Sequence, residues 1–231
     1  MFTRNACVPM ISLVIAFMSA STATAADSGD KYNDVLSHSQ TLTALDLFQG
    51  SAKSLKADLY SASLQFFAAE TRARTDFSCF PPVGTGGDSP MELLGTMREE
   101  IGEEVNPQIV KDASLYARVV ERLKDWDPGT GPGYKPGWDY KSACSSYRDV
   151  AEGYKDKQLK FMGDMSTLLQ IPEYKSAFDI AQSFHLAPYD EQQKPERMKQ
   201  AHDAEDVILR IEKEKNLDVL TSSILKERKG N

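Results

Sequence analysis

The chain is poor in the residues from which catalytic and metal sites are usually built. It has three histidines and three cysteines in 231 residues, and no histidine falls in an H-E-x-x-H pattern. A G-x-S-x-G elbow is missing, and so is an S-x-x-K with its partner motifs. Positive charge is also in deficit: 27 Lys and Arg stand against 34 Asp and Glu, a formal charge of −7. That deficit excludes a nucleic-acid binder, which needs a basic footprint, and argues against anionic membrane surfaces. No apolar run approaches the about 20 residues of a bilayer span, so no stable membrane insertion is expected. Alternating strand patterns are lacking, the one ambiguous stretch being residues 219–225, and no repeat recurs at a fixed period. The glycine-rich PPVGTGGDSP follows no strand and lacks G-x-x-x-x-G-K-[ST]. It reads as a turn-rich connection, with Asp88 or Ser89 capping the next helix and Pro90 in its first turn. Neither a cofactor nor a metal is expected.

What is present begins with an export signal. Residues 1–25 carry Arg4 and no acid, then a short apolar run, then Ala23-Thr24-Ala25. That is a secretory signal peptide with an A-x-A cleavage site, and it places the mature chain in the periplasm. Cleavage removes Cys7, and among charged residues only Arg4, moving the formal charge from −7 to −8. Two cysteines remain, Cys79 and Cys144. In an oxidising compartment such a pair is expected as a disulfide, the alternative being two buried thiols.

The rest reads as all-α, a bundle of about six helices forming one domain over residues 42–231, preceded by a flexible leader at 26–41. Apolar residues recur at four- and three-residue spacing. A short helix is expected at 42–48, stopped by Gly50. The stripe Leu55, Leu59, Ala62, Phe66, Ala69, Ala73, Phe77 ends at Pro81-Pro82. A helix over 91–104 is broken by Asn106-Pro107, and another runs to Trp126. The longest stripe, from Tyr140 through Cys144 and Tyr147 to Leu168, predicts a helix of about eight turns, in which Gly153 and Gly163 admit a close neighbour. Further helices follow from Pro172 and over 196–229, with a break near Asn216.

Between the N-terminal half (42–126) and the C-terminal half (140–231) lies WDPGTGPGYKPGWDY, with loop residues 127–139. It holds four rings, Trp126, Tyr134, Trp138 and Tyr140. Such rings favour burial, so the stretch reads as an ordered crossover packed on the bundle. The alternative leaves Trp126, Tyr134 and Trp138 exposed as a binding surface. Glu99, Glu100, Glu103 and Glu104 read as a solvated acidic face able to dock on a basic partner. Arg72, Arg74 and Asp76 read as exposed pairs. His185 suits a helix C-terminus, and His202 with Glu205 reads as a charged helix face.

Residues 60–126 resemble the Tai-like immunity proteins that protect bacteria from type VI amidase toxins. The resemblance rests on an exported small helical protein, a helix ending in Phe77-Ser78-Cys79-Phe80-Pro81-Pro82, and two further helices. It covers about a third of the chain. This sequence departs from the pattern where the last of those helices ends in Trp126-Asp127-Pro128 without a cysteine. The chain is equally similar to small exported helical proteins of proteobacteria. The resemblance implies a protein that blocks a toxin or envelope enzyme and has no catalysis of its own. The competing expectation is an envelope hydrolase or small-ligand binder, in which Glu70, Asp76 or Glu103 converges with His185 or His202 in a pocket.

Overall fold

A computed structural model describes residues 35–84 and 89–230. The expected signal peptide, most of the expected leader and Asp88 lie outside the described residues. Nine α-helices are present among them: α1 Ala44–Ser54, α2 Leu59–Cys79, α3 Pro90–Ile109, α4 Ala113–Lys124, α5 Tyr147–Leu169, α6 Pro172–His185, α7 Tyr189–Gln192, α8 Pro195–Lys215 and α9 Thr221–Gly230. The described residues contain no strand, and one isolated antiparallel bridge joins Pro82 to Tyr140. No described helix is long and apolar enough to cross a membrane. The count exceeds about six because Asn216, in the left-handed conformation, separates α9 from α8, and the four-residue α7 follows α6.

Helix starts follow side-chain chemistry. Asp58 accepts from the amides of Tyr60 and Ser61, and Ser89 from that of Glu92 ahead of Pro90. Asp112 and Ser146 cap α4 and α5 in the same way. Each satisfies amides that have no partner within the helix.

The core is one cluster running from Leu36 to Ile224. Helix α2 lies at its centre, against α1, α3, α4 and α5, while α6 and α8 form a second closely packed pair. Its central place makes α2 buried on nearly every side, so small residues such as Ala62, Ala68 and Ala69 alternate with Phe66 and Phe67.

Several expectations are corrected. Helix α1 runs through Gly50, and Leu55 belongs to its C-terminal cap rather than to the α2 stripe. Pro107 does not break α3, which continues to Ile109. A proline in the last turn forfeits only one intrahelical bond, and buried Ile109 and Val110 hold that turn on the core. A Cβ on Gly153 or Gly163 would meet nothing within 4 Å, whereas one on Gly102 would come within 3.1 Å of Phe66. The close helix approach is therefore at Gly102, on α3.

The largest difference concerns the long stripe. Helix α5 begins at Tyr147, seven residues after Tyr140. Residues 139–143 pair instead with 79–83: Val83 N–H donates to Asp139 O, Lys141 N–H to Pro81 O and Ala143 N–H to Cys79 O. Cys79 and Cys144 close this ladder, with sulfurs 2.11 Å and Cα atoms 4.7 Å apart. Residues 35–41, expected to belong to the loose leader, are packed, with Leu36 and Ser39 buried.

Glu212 shows how the C-terminal end is held. It is fully buried, and its carboxylate accepts from the amides of Val219, Leu220 and Thr221 and from the hydroxyls of Thr221 and Tyr174. It fixes the start of α9 from the preceding helix. Glu212→Gln keeps the shape but sets an amide NH2 against donors in place of one acceptor oxygen and leaves the other oxygen's bonds neutral, a loss of about 3 kcal/mol. Urea unfolding should record it, with α9 amides exchanging first.

Candidate functional site

The sequence places Arg72 and Asp76 one turn apart on α2, and the structure buries both: their residues are 1 % and 0 % exposed. The expected exposed pair is thus wrong for these two, while Arg74 is exposed. Asp76 accepts from the hydroxyls of Tyr134 and Tyr147, both at 2.7 Å. Arg72 donates to Ser39 O at 2.9 Å, Gly129 O at 3.4 Å and the Tyr147 hydroxyl at 3.3 Å. Its guanidinium lies over the rings of Tyr134 and Tyr147.

Around this pair the 126–147 segment is assembled. Trp126 is buried and donates from its indole to Ser39 Oγ at 2.8 Å, and Lys155 donates to Trp126 O at 2.6 Å. Gly131 N–H donates to Gln40 O, and Arg148 grips Asp127 through two nitrogens at 2.9 and 3.0 Å. Trp138 is half-buried, stacks on Phe77 and donates to Phe80 O at 2.8 Å. Phe80 meets Tyr134, Tyr140 and Tyr147. Of the three rings offered as a binding surface, Trp126 therefore belongs to the core. Tyr134 and Trp138 remain partly accessible.

Burial pushes the Asp76 carboxyl up to about 6, offset in part by the two tyrosine hydroxyls and then by Arg72. Burial, then the Asp76 charge, holds both tyrosines above their ordinary range. Because the folded state holds this proton more tightly than the unfolded chain, ionising Asp76 costs the fold stability as pH rises from about 4 through about 6. Relative to Asp76→Asn, the wild type should lose at most about 3 kcal/mol across that window. Urea unfolding of both proteins at pH 4 and pH 7 checks this.

Trp138 faces a cleft lined also by Leu45, Pro82, Val83, Leu93 and Pro136. Val83, Met91 and Leu93 are 55 %, 58 % and 50 % exposed. Helix α3 continues from this apolar end into the acidic face: Glu99, Glu100, Glu103 and Glu104 are all exposed. At helical spacing Leu93, Glu100 and Glu104 share one stripe.

The proposed catalytic carboxylates do not meet a histidine. Glu70 is held by Arg98 Nε at 2.6 Å and Gln158 at 3.3 Å, and Asp76 is enclosed by the network above. Glu70, Glu99 and Glu103 edge one shallow depression beside Arg98, and neither His185 nor His202 lines it. Both histidines are exposed, on α6 and α8. No group of three or more His, Cys, Asp or Glu side chains among the described residues could hold a metal ion.

The participants missed by sequence reasoning are Ser39, Gly129, Tyr147 and Lys155. One signal was available: Arg72 and Asp76, four residues apart, interrupt a helix otherwise rich in alanine and phenylalanine. Compared with known proteins, the chain matches no family model, no curated protein and no solved structure.

Proposed function

We propose that this chain is an exported, non-catalytic protein-binding factor of the periplasm, immunity- or inhibitor-like in action. The observation that carries the proposal is the surface of α3, apolar in its first turns and acidic in its middle turns. It lies beside a cleft walled by Trp138 and Pro82. In this reading the signal peptide of residues 1–25 is removed, and the oxidising compartment supplies the Cys79–Cys144 bond. Residues 127–139 form an ordered crossover within one domain, and the buried network makes that crossover a stiff wall. A stiff wall suits binding, because little side-chain and loop freedom is lost on contact. The partner is a basic protein with an apolar projection, an envelope or toxin enzyme as the resemblance of residues 60–126 implies.

The test uses the chain of residues 26–231 as bait in envelope extract. One protein should be retained, released by salt, and lost at least about tenfold with Leu93→Asp, an exposed position. Glu100→Lys with Glu103→Lys should weaken it similarly. Retention of the same proteins by all forms would end the proposal.

A further inference from the structure

A separate cavity of about 540 Å³ opens between α2, α3, α5 and α6, within the roughly 300–1,000 Å³ of small-molecule sites. We infer that it binds a small amphipathic anion, with the head held by Arg74, Arg98 and Lys157 and the tail laid on a methionine-lined floor.

The charge of the cavity is the first ground. Those three cations line it, against Glu70 as its one carboxylate among the described residues. In a chain of formal charge −7, that is a local reversal of sign. Glu70 is already engaged, by Arg98 Nε and Gln158. Arg74 has no hydrogen bond or ion pair among the described residues. Neither do the two terminal guanidinium nitrogens of Arg98, and among the described residues Lys157 meets the face of the Tyr154 ring, at 5.6 Å. Donors remain for an incoming carboxylate or phosphate, groups that arginine forks grip with two parallel bonds.

The floor is the second ground. Phe67, Val110, Met162 and Met165 line the cavity and are buried. Methionines adapt to flexible apolar chains without a fixed shape requirement. Tyr116 lines the same space, is 3 % exposed, and its hydroxyl has no hydrogen bond among the described residues. On the cavity wall that hydroxyl is available to a polar atom of the ligand or to a bound water. The arrangement also differs from a hydrolase pocket built on carboxylates: cations surround an apolar floor, and no histidine lines it.

The test is calorimetric titration of the oxidised chain of residues 26–231 with dodecanoate, dodecyl phosphate, 1-dodecanol and acetate, below micelle formation. One dodecyl anion should bind per chain, with dodecanol at least tenfold weaker and acetate undetected. Tighter binding of the phosphate assigns the site to lipid-derived heads, and tighter binding of dodecanoate to free fatty acids. Arg74→Gln with Lys157→Gln, both exposed positions, should erase the preference for anion over alcohol while leaving alcohol binding intact. Met165→Trp, which fills the floor, should abolish binding of all three dodecyl compounds. Equal affinity for acid and alcohol in the wild type, an unchanged preference in the double variant, or no binding of either anion would overturn the inference.

Discussion

Arg72→Ala should cost about 3–5 kcal/mol of unfolding free energy at pH 7, because it strands a buried carboxylate. Arg72 supports three segments at once: Ser39 ahead of α1, Gly129 in the stretch between α4 and α5, and Tyr147 at the start of α5. Without it, Asp76 keeps only the hydroxyls of Tyr134 and Tyr147. The penalty depends on the state of Asp76, whose carboxyl is already pushed up to about 6 by burial. Losing the neighbouring cation raises it further. At pH 4 the carboxyl is neutral in the folded protein and the deficit should shrink. Chemical unfolding at the two pH values separates this from a simple cavity, which would cost the same at both. Arg72→Lys keeps the charge but cannot span both carbonyl oxygens, so it should fall between the wild type and the alanine variant.

The second large effect belongs to the disulfide. Its cysteines lie 65 residues apart. Closing a loop of that size restricts the unfolded chain and stabilises the fold by about 4 kcal/mol. Cys79→Ala with Cys144→Ala should lower the unfolding midpoint accordingly while the helical circular dichroism persists. Near-ultraviolet dichroism should weaken, because Phe80, Tyr140 and Trp138 sit beside the bridge and lose the ladder that orders them. Reduction of the wild type should reproduce the double variant. An unchanged midpoint would mean that the two cysteines contribute no constraint.

The helices were legible because their stripes are local: the spacing within 59–79 or 196–215 needs no knowledge of the rest of the chain. Even the break at Asn216 could be placed. Failures occurred where a distant partner decides. Tyr140, Cys144 and Tyr147 have helical spacing, yet residues 139–143 pair with 79–83, a partner that periodicity cannot reveal. Arg72 and Asp76 were read as exposed because charged residues seldom tolerate full burial. Here the cost is offset by groups 33 to 75 residues away in sequence. Glu212 is a shorter-range case. Nothing in its charged helix distinguishes it from its neighbours except that the chain turns back over it at residues 219–221. The bridge was legible for a different reason, since the export expected from residues 1–25 would leave two cysteines and few alternatives. The acidic face was legible because none of the described residues buries Glu99, Glu100, Glu103 or Glu104. The cationic cavity was not, because its three cations come from three different helices.

That this chain acts by presenting the α3 face to a protein is the central claim, and photo-crosslinking in the native host tests it most directly. Benzoylphenylalanine is placed at Leu93 or Glu100 on that face, and at Lys199 on α8 as a control; all three side chains are exposed. The account predicts one discrete adduct from positions 93 and 100 and none from 199. The same adducts from all three positions, or none from any, would contradict it.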